Sequence, residues 1–124
     1  MTAEKWQLVL SYPKPPLTLN QRQHWAASAG VVRKLRKETA VRARAAKIPP
    51  LPHIHTRLFY LQPDRRRRDE DNLIATAKPC WDGLVDAGVV PDDTSDYMTK
   101  LMPRIIGPLK NTPPAVWLEV WTVD

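Results

Sequence analysis

The stretch HIHTRLFYLQPDRRRRDEDNLIATAKPCWDGLVDAG, residues 53–88, decides the fold. Ile54, Thr56, Leu58 and Tyr60 alternate with His55, Arg57, Phe59 and Leu61, so the spacing predicts a well-buried strand rich in β-branched and aromatic residues. Past the charged turn the period changes. Leu73, Ala77, Trp81, Leu84 and Val85 recur at helical spacing until Gly88, a residue suited to the left-handed turn that closes a helix. Pro79 interrupts this helix: it lacks an amide proton and its ring crowds the carbonyl of Ala75. The helix is therefore expected either to kink there or to restart with Pro79 in a first turn.

Outward from this unit, Trp6, Leu8 and Leu10 alternate with Gln7, Val9 and Ser11, which is strand periodicity, and Pro13, Pro15 and Pro16 then stop the ladder. The loop that follows, YPKPPLTLNQRQHW, carries donors at Lys14, Asn20, Gln21, Arg22, Gln23 and His24. They suit a segment lying over a phosphate backbone, and equally a polar connector. Val32 to Lys47 lacks Gly and Pro and sets Val32, Leu35, Ala43 and Ala46 along one stripe, with Arg33, Lys37, Arg44 and Lys47 along another. This is an amphipathic helix with a basic face, for nucleic acid or for solvation. Two further strands are expected at Lys100 to Ile106 and Val116 to Val123, joined by GPLKNTPPA. The count is about four strands and two main helices, in one domain without internal repeats over residues 1–124.

The chain has 124 residues and a formal net charge of +6, enough for one core and favouring an anionic partner, nucleic acid first. A single cysteine, Cys80, excludes an internal disulfide and a thiolate-only zinc site, and is read as a small core residue suited to a reducing, cytoplasmic setting. The apolar run WQLVLSY is far shorter than a signal-peptide core or a membrane span, so no membrane partner is expected. His53 and His55 share a strand face at ligand spacing, but with no Cys or third His near they read as satisfied strand histidines rather than zinc ligands.

The chemistry concentrates in RRRRDEDN, Arg65 to Asn72. Asp69 and Asp71 are two apart in a segment read as extended, so both carboxylates leave one side of the backbone toward one divalent cation while Glu70 points away. Asp71 or Asn72 would cap the following helix, whose free amides attract phosphate. Hard oxygen ligands favour magnesium or manganese, and the absence of a mid-loop glycine from DEDNLIATAKPC argues against an EF-hand. A second acidic cluster, PDDTSD, brings Asp92, Asp93 and Asp96; spacing alone does not unite it with Asp69, and an Asp-rich turn after Pro91 explains it as well.

RRRRDEDN, the helix carrying Lys78 and Asp82, and DGLVDAGVVPDD together resemble the signature of the RusA-type Holliday junction resolvases. These are small magnesium-dependent endodeoxyribonucleases of bacteria and phages. The proline-rich YPKPPLTLN and the basic first helix match in kind and order. The resemblance implies an α+β fold with a mixed sheet of about four strands and two helices, a homodimer, and a cytoplasmic enzyme of a bacterial or phage-infected cell that resolves four-way DNA junctions by paired nicks, leaving 5′-phosphate ends. It needs Mg²⁺, for which Mn²⁺ can substitute, and no small-molecule cofactor. It makes Asp69, Asp71 and Asp93 catalytic metal-binding carboxylates, with Asp92 beside them, and Lys78 the catalytic lysine. Counting back from Asp82 selects Lys78, whereas counting forward from Asp71 reaches Ala75. Lys14, Asn20, Arg22, His24, Arg65, Arg66, Arg67, Arg68 and Asn72 are then the DNA-binding candidates, the arginines as a phosphate clamp beside the carboxylates.

Overall fold

The structure, a computed structural model, describes residues 3–19 and 25–123. It is an α+β arrangement of two helices against one mixed sheet of five strands. The strands are β1 (Lys5–Val9), β2 (Ile54–Leu61), β3 (Met98–Lys100), β4 (Arg104–Ile106) and β5 (Ala115–Trp121), and the helices are α1 (Trp25–Ala45) and α2 (Ile74–Asp86). β5 lies between β1 and β2, antiparallel to both. β2 pairs in parallel with β3 through Ile54 to Thr56 and with β4 through Phe59 to Leu61.

The extra strand corrects the expected count of about four. The segment read as one strand from Lys100 to Ile106 divides, because Leu101 to Pro103 leaves the ladder and Pro103 has no N–H to give. Leu101 still donates its N–H to the Thr56 carbonyl, and Arg57 Nε donates to the Met102 carbonyl, so the break lies flat along β2. The last strand runs Ala115–Trp121 rather than Val116 to Val123.

The first helix starts at Trp25, seven residues before the expected Val32, and it runs through Gly30, whose mid-helix cost of about 1 kcal/mol is carried by the packing that follows. The predicted stripe is also rotated. Leu35, Thr39, Ala40 and Ala43 are buried, whereas Val32 and Ala46 are exposed.

α2 runs through Pro79, its sixth residue, so the helix does not restart there. It ends as expected: Gly88 has φ 80°, its N–H reaches Val85 O and the Val89 N–H reaches Leu84 O. The two helices cross at Gly83, where a Cβ would stand 2.5 Å from the Arg36 carbonyl oxygen. Their inner faces cover Leu8, Leu58, Leu118 and Val120 on one side of the sheet, and Cys80 is fully buried among them, its thiol pushed up to about 12 by burial. Among the described residues no helix is long and apolar enough to cross a membrane.

Candidate nucleic-acid interface and carboxylate centre

β2 hands the chain to the arginine run, and Asp64 organises that run. Its Oδ1 accepts the Arg66 N–H at 2.9 Å and Arg68 Nη1 at 2.8 Å, and these bonds, the Arg68 one foremost, hold its carboxyl below the usual range. Arg68 also donates to Gln62 Oε1 and to the Arg66 carbonyl, and its guanidinium lies 5.8 Å from the centre of the Tyr60 ring. Arg68 therefore builds the loop rather than offering its charge outward. Arg66 makes only a 3.8 Å contact to Asp64 and is 77% exposed. Arg65 and Arg67 are exposed and have no acidic partner among the described residues.

The run stands as a ridge between two hollows. One, about 510 Å³, is lined by Lys14, Thr18, Arg66, Arg67, Asp69 and Asn72 over an apolar floor of Pro15, Tyr60 and Leu73. The other, about 440 Å³, shares Arg66 to Asp69 and reaches Glu70 and Ile105. Lys14 arrives on the proline-rich loop, which is fastened to α2 by Thr76: its Oγ1 donates to Leu17 O at 2.6 Å and accepts the Leu17 N–H at 3.1 Å. The Leu19 N–H adds a bond to Asn72 O. Asn20, Arg22 and His24 lie outside the described residues.

Asp69 is extended, with φ −98° and ψ 128°, but Asp71 lies inside a 3₁₀ turn, Glu70–Leu73, that precedes α2. The two carboxylates therefore do not leave one side of an extended backbone, as alternation had suggested. Nor do Asp71 and Asn72 cap the helix: Leu73 occupies that position, with no side-chain cap bond. The turn is held instead by Glu70, whose Oε2 accepts the Ile105 N–H at 2.8 Å. Asp69 and Asp71 are both exposed, and neither carboxylate has a hydrogen bond or ion pair among the described residues.

The second acidic cluster forms its own centre around Asp93. Asp93 Oδ2 accepts Lys78 Nζ at 2.7 Å and Lys100 Nζ at 3.1 Å, and these two ammonium groups hold its carboxyl down at about 2. Lys78 also donates to Asp82 Oδ1 at 2.9 Å, one helical turn along α2, and its ammonium is kept protonated above its ordinary range, chiefly by Asp93. Lys78, not Ala75, is thus the residue of α2 that meets the acidic loop. Asp92 turns back to accept the Asp93 N–H. Lys100, which sequence reasoning missed, lies 4.9 Å from the centre of the Trp81 ring. No spacing rule links Lys100 to Lys78, since only the parallel pairing of β3 with β2 sets it beside α2.

Among the described residues no three His, Cys, Asp or Glu side chains converge closely enough to hold a metal ion. Asp93 is held on Lys78 and Lys100, whereas Asp69 and Asp71 carry two unpaired carboxylates whose donor chemistry suits a hard divalent cation. His53 precedes β2 and is engaged by Asp96 O and Thr99 Oγ1, while His55 Nδ1 is buried without a partner among the described residues, contrary to the expected satisfied histidine.

No known family description matches the chain. An uncharacterized protein of Xylella fastidiosa (strain Temecula1) is 31% identical over 90 residues, covering 68% of this chain and 59% of that protein. The chain thus spans about three fifths of its relative's length.

Proposed function

We propose that the chain is a RusA-type, magnesium-dependent endodeoxyribonuclease that cuts four-way DNA junctions as a homodimer. One observation carries this reading: the hollow lined by Lys14, Arg66 and Arg67 also holds Asp69, so phosphate-attracting cations and an unpaired carboxylate share one surface. Exposed guanidinium groups bind backbone phosphates and release counterions, which draws a duplex onto the ridge. Asp69 and Asp71 would hold the divalent cation, with Asp93 and its neighbour Asp92 completing the set. Bound there, magnesium supplies Lewis acidity toward the phosphodiester and lowers the pKa of a water. Lys78 contributes a fixed positive charge where negative charge develops on the cut phosphate, which is the stabilisation such a reaction needs.

A second reading is favoured by the engagement of Asp93 with Lys78 and Lys100 and of Asp92 with the Asp93 N–H. In it the arginine ridge binds DNA without cutting, and the aspartates only shape turns. Incubation with junction, flap, duplex and RNA hybrid, each with magnesium or with chelator, separates the two. For a junction nuclease, magnesium-dependent nicking should be strongest on the junction. Asp71→Asn should lower it by orders of magnitude while junction binding persists or tightens. Binding without cleavage of any substrate refutes the nuclease, and preference for flaps or RNA refutes the junction assignment alone.

A further inference from the structure

α1 carries more cations than its partners use. Arg36 forks onto Asp86 through Nε and Nη2, Arg44 Nη2 donates to the Asp86 carbonyl at 3.0 Å, and Arg42 Nε donates to Glu38 Oε2 at 2.7 Å. Glu38, the only acid of α1, also accepts the N–H and the hydroxyl of Ser11. Both carboxylates that α1 meets among the described residues are thus spent on fastening it to α2 and to the segment after β1. Three cations remain. Arg33, Lys34 and Lys37 are exposed and have no hydrogen-bond or ion-pair partner among the described residues. At about 100° per residue they fall within an arc of similar width, opposite the buried Leu35, Thr39 and Ala43. The basic face therefore differs from the row read off the sequence: Arg44 is engaged, Lys47 lies past the helix end with φ 58°, and Lys34 joins Arg33 and Lys37.

We propose that this strip binds the backbone of duplex DNA outside the cutting site, a second contact for the DNA that the arginine ridge receives; it rests on the reading of that ridge as a DNA site. Position sets the strip apart. The Arg36–Asp86 pair seats this turn of α1 against the C-terminal end of α2, about 18 Å of helix from the N-terminal end into which the ridge leads. Charges are screened over about 8 Å at physiological salt, so the strip adds little to the field at the ridge and needs phosphates of its own. A duplex rises about 3.4 Å per base pair and carries its phosphates that far in about five base pairs.

The chemistry favours DNA over a lipid surface. Among the described residues, Val41, 52% exposed, is the strip's only large apolar side chain, whereas a helix that lies in a membrane interface needs a continuous apolar face. Arg33 and Lys37 stand one turn apart, so each can meet a separate phosphate, and neither is tied to a neighbour that a phosphate would have to displace.

Replacing Arg33, Lys34 and Lys37 together by glutamine tests the proposal, since glutamine keeps the helix propensity and the three side chains are exposed. The salt slope of four-way-junction binding should fall by about 0.9 for each phosphate given up, about 2.7 in all, with Tm unchanged. Hydroxyl-radical footprinting of the wild type should show two protected backbone patches; the glutamine variant should lose the one farther from the cut, and Arg65→Ala with Arg67→Ala the nearer. The charge-keeping set Arg33→Lys, Lys34→Arg and Lys37→Arg should restore both readouts. An unchanged slope, a footprint that stays whole, or binding of phosphatidylserine vesicles that the glutamine variant loses while its junction affinity holds overturns the proposal. Cleavage is not among these readouts, so binding without cutting refutes the nuclease alone, and a wild type that binds no DNA overturns both.

Discussion

Replacing Lys78 and Lys100 together by methionine removes both charges from Asp93 while keeping most of each side chain's apolar stem, including the part that covers Trp81. A carboxyl held at about 2 instead of its ordinary 3.8 corresponds to about 2 kcal/mol in favour of the folded chain. The Lys78 head is 53% exposed, so solvent screening reduces this to about 1 kcal/mol. The sign follows from the depressed value: this stability is fully present above pH 3.8 and is lost as pH falls through about 2. Urea unfolding at neutral pH should therefore find the double variant about 1 kcal/mol less stable than wild type, with the gap closing in strong acid. The carbon-13 shift of the Asp93 carboxyl should titrate near 2 in the wild type and near the ordinary value in the variant. An ordinary titration in the unaltered chain, or equal stabilities at neutral pH, would refute the claim that two lysines share this carboxylate.

The arginines are expected to divide by role. Replacing Arg65 and Arg67 by alanine should lower the salt slope of junction binding by about 0.9 for each phosphate no longer neutralised, without moving Tm, whereas Arg68→Ala should lower Tm; equal behaviour of the three would contradict the division. Gly83→Ala places a methyl 2.5 Å from the Arg36 carbonyl oxygen and 2.8 Å from Thr39 Cβ, neither of which is a flexible tip. It should cost about 1–3 kcal/mol despite alanine's better helix propensity, and an unchanged Tm would show that the helix crossing yields.

The two-residue period of β1 and β2 and the helical period of α2 were legible because a buried face imposes them directly on the sequence. The rotated stripe of α1 was not, since the helix presents small residues, Thr39 and Ala40, to Gly83, and hydropathy scarcely marks such a seam. The division of β3 from β4 was signalled by Pro103 but not by periodicity. At the site, the arginine run and the carboxylates were visible as charge. Which charges pair was not, because Arg68 finds Asp64 through a turn and Lys100 finds Asp93 through the parallel pairing of β3.

The pairing pattern also bears on how the proposed site would work. Of the four arginines, the one with the most internal hydrogen bonds, Arg68, is the one tied to β2 through Gln62 and Asp64, so the rigid sheet sets the position of the ridge. Glu70 ties the following turn to β4, which fixes Asp69 and Asp71 on either side of an anchored residue. The carboxylates nearest the cations are thus held by their neighbours' backbone and keep their own oxygens unpaired. Asp93 is the opposite case, with one oxygen accepting both Lys78 and Lys100. Under the proposed reading, a cation held by Asp93 would share its carboxylate with those two ammonium groups. Of the two lysines, Lys78 is the more exposed and so the better placed to meet a phosphate.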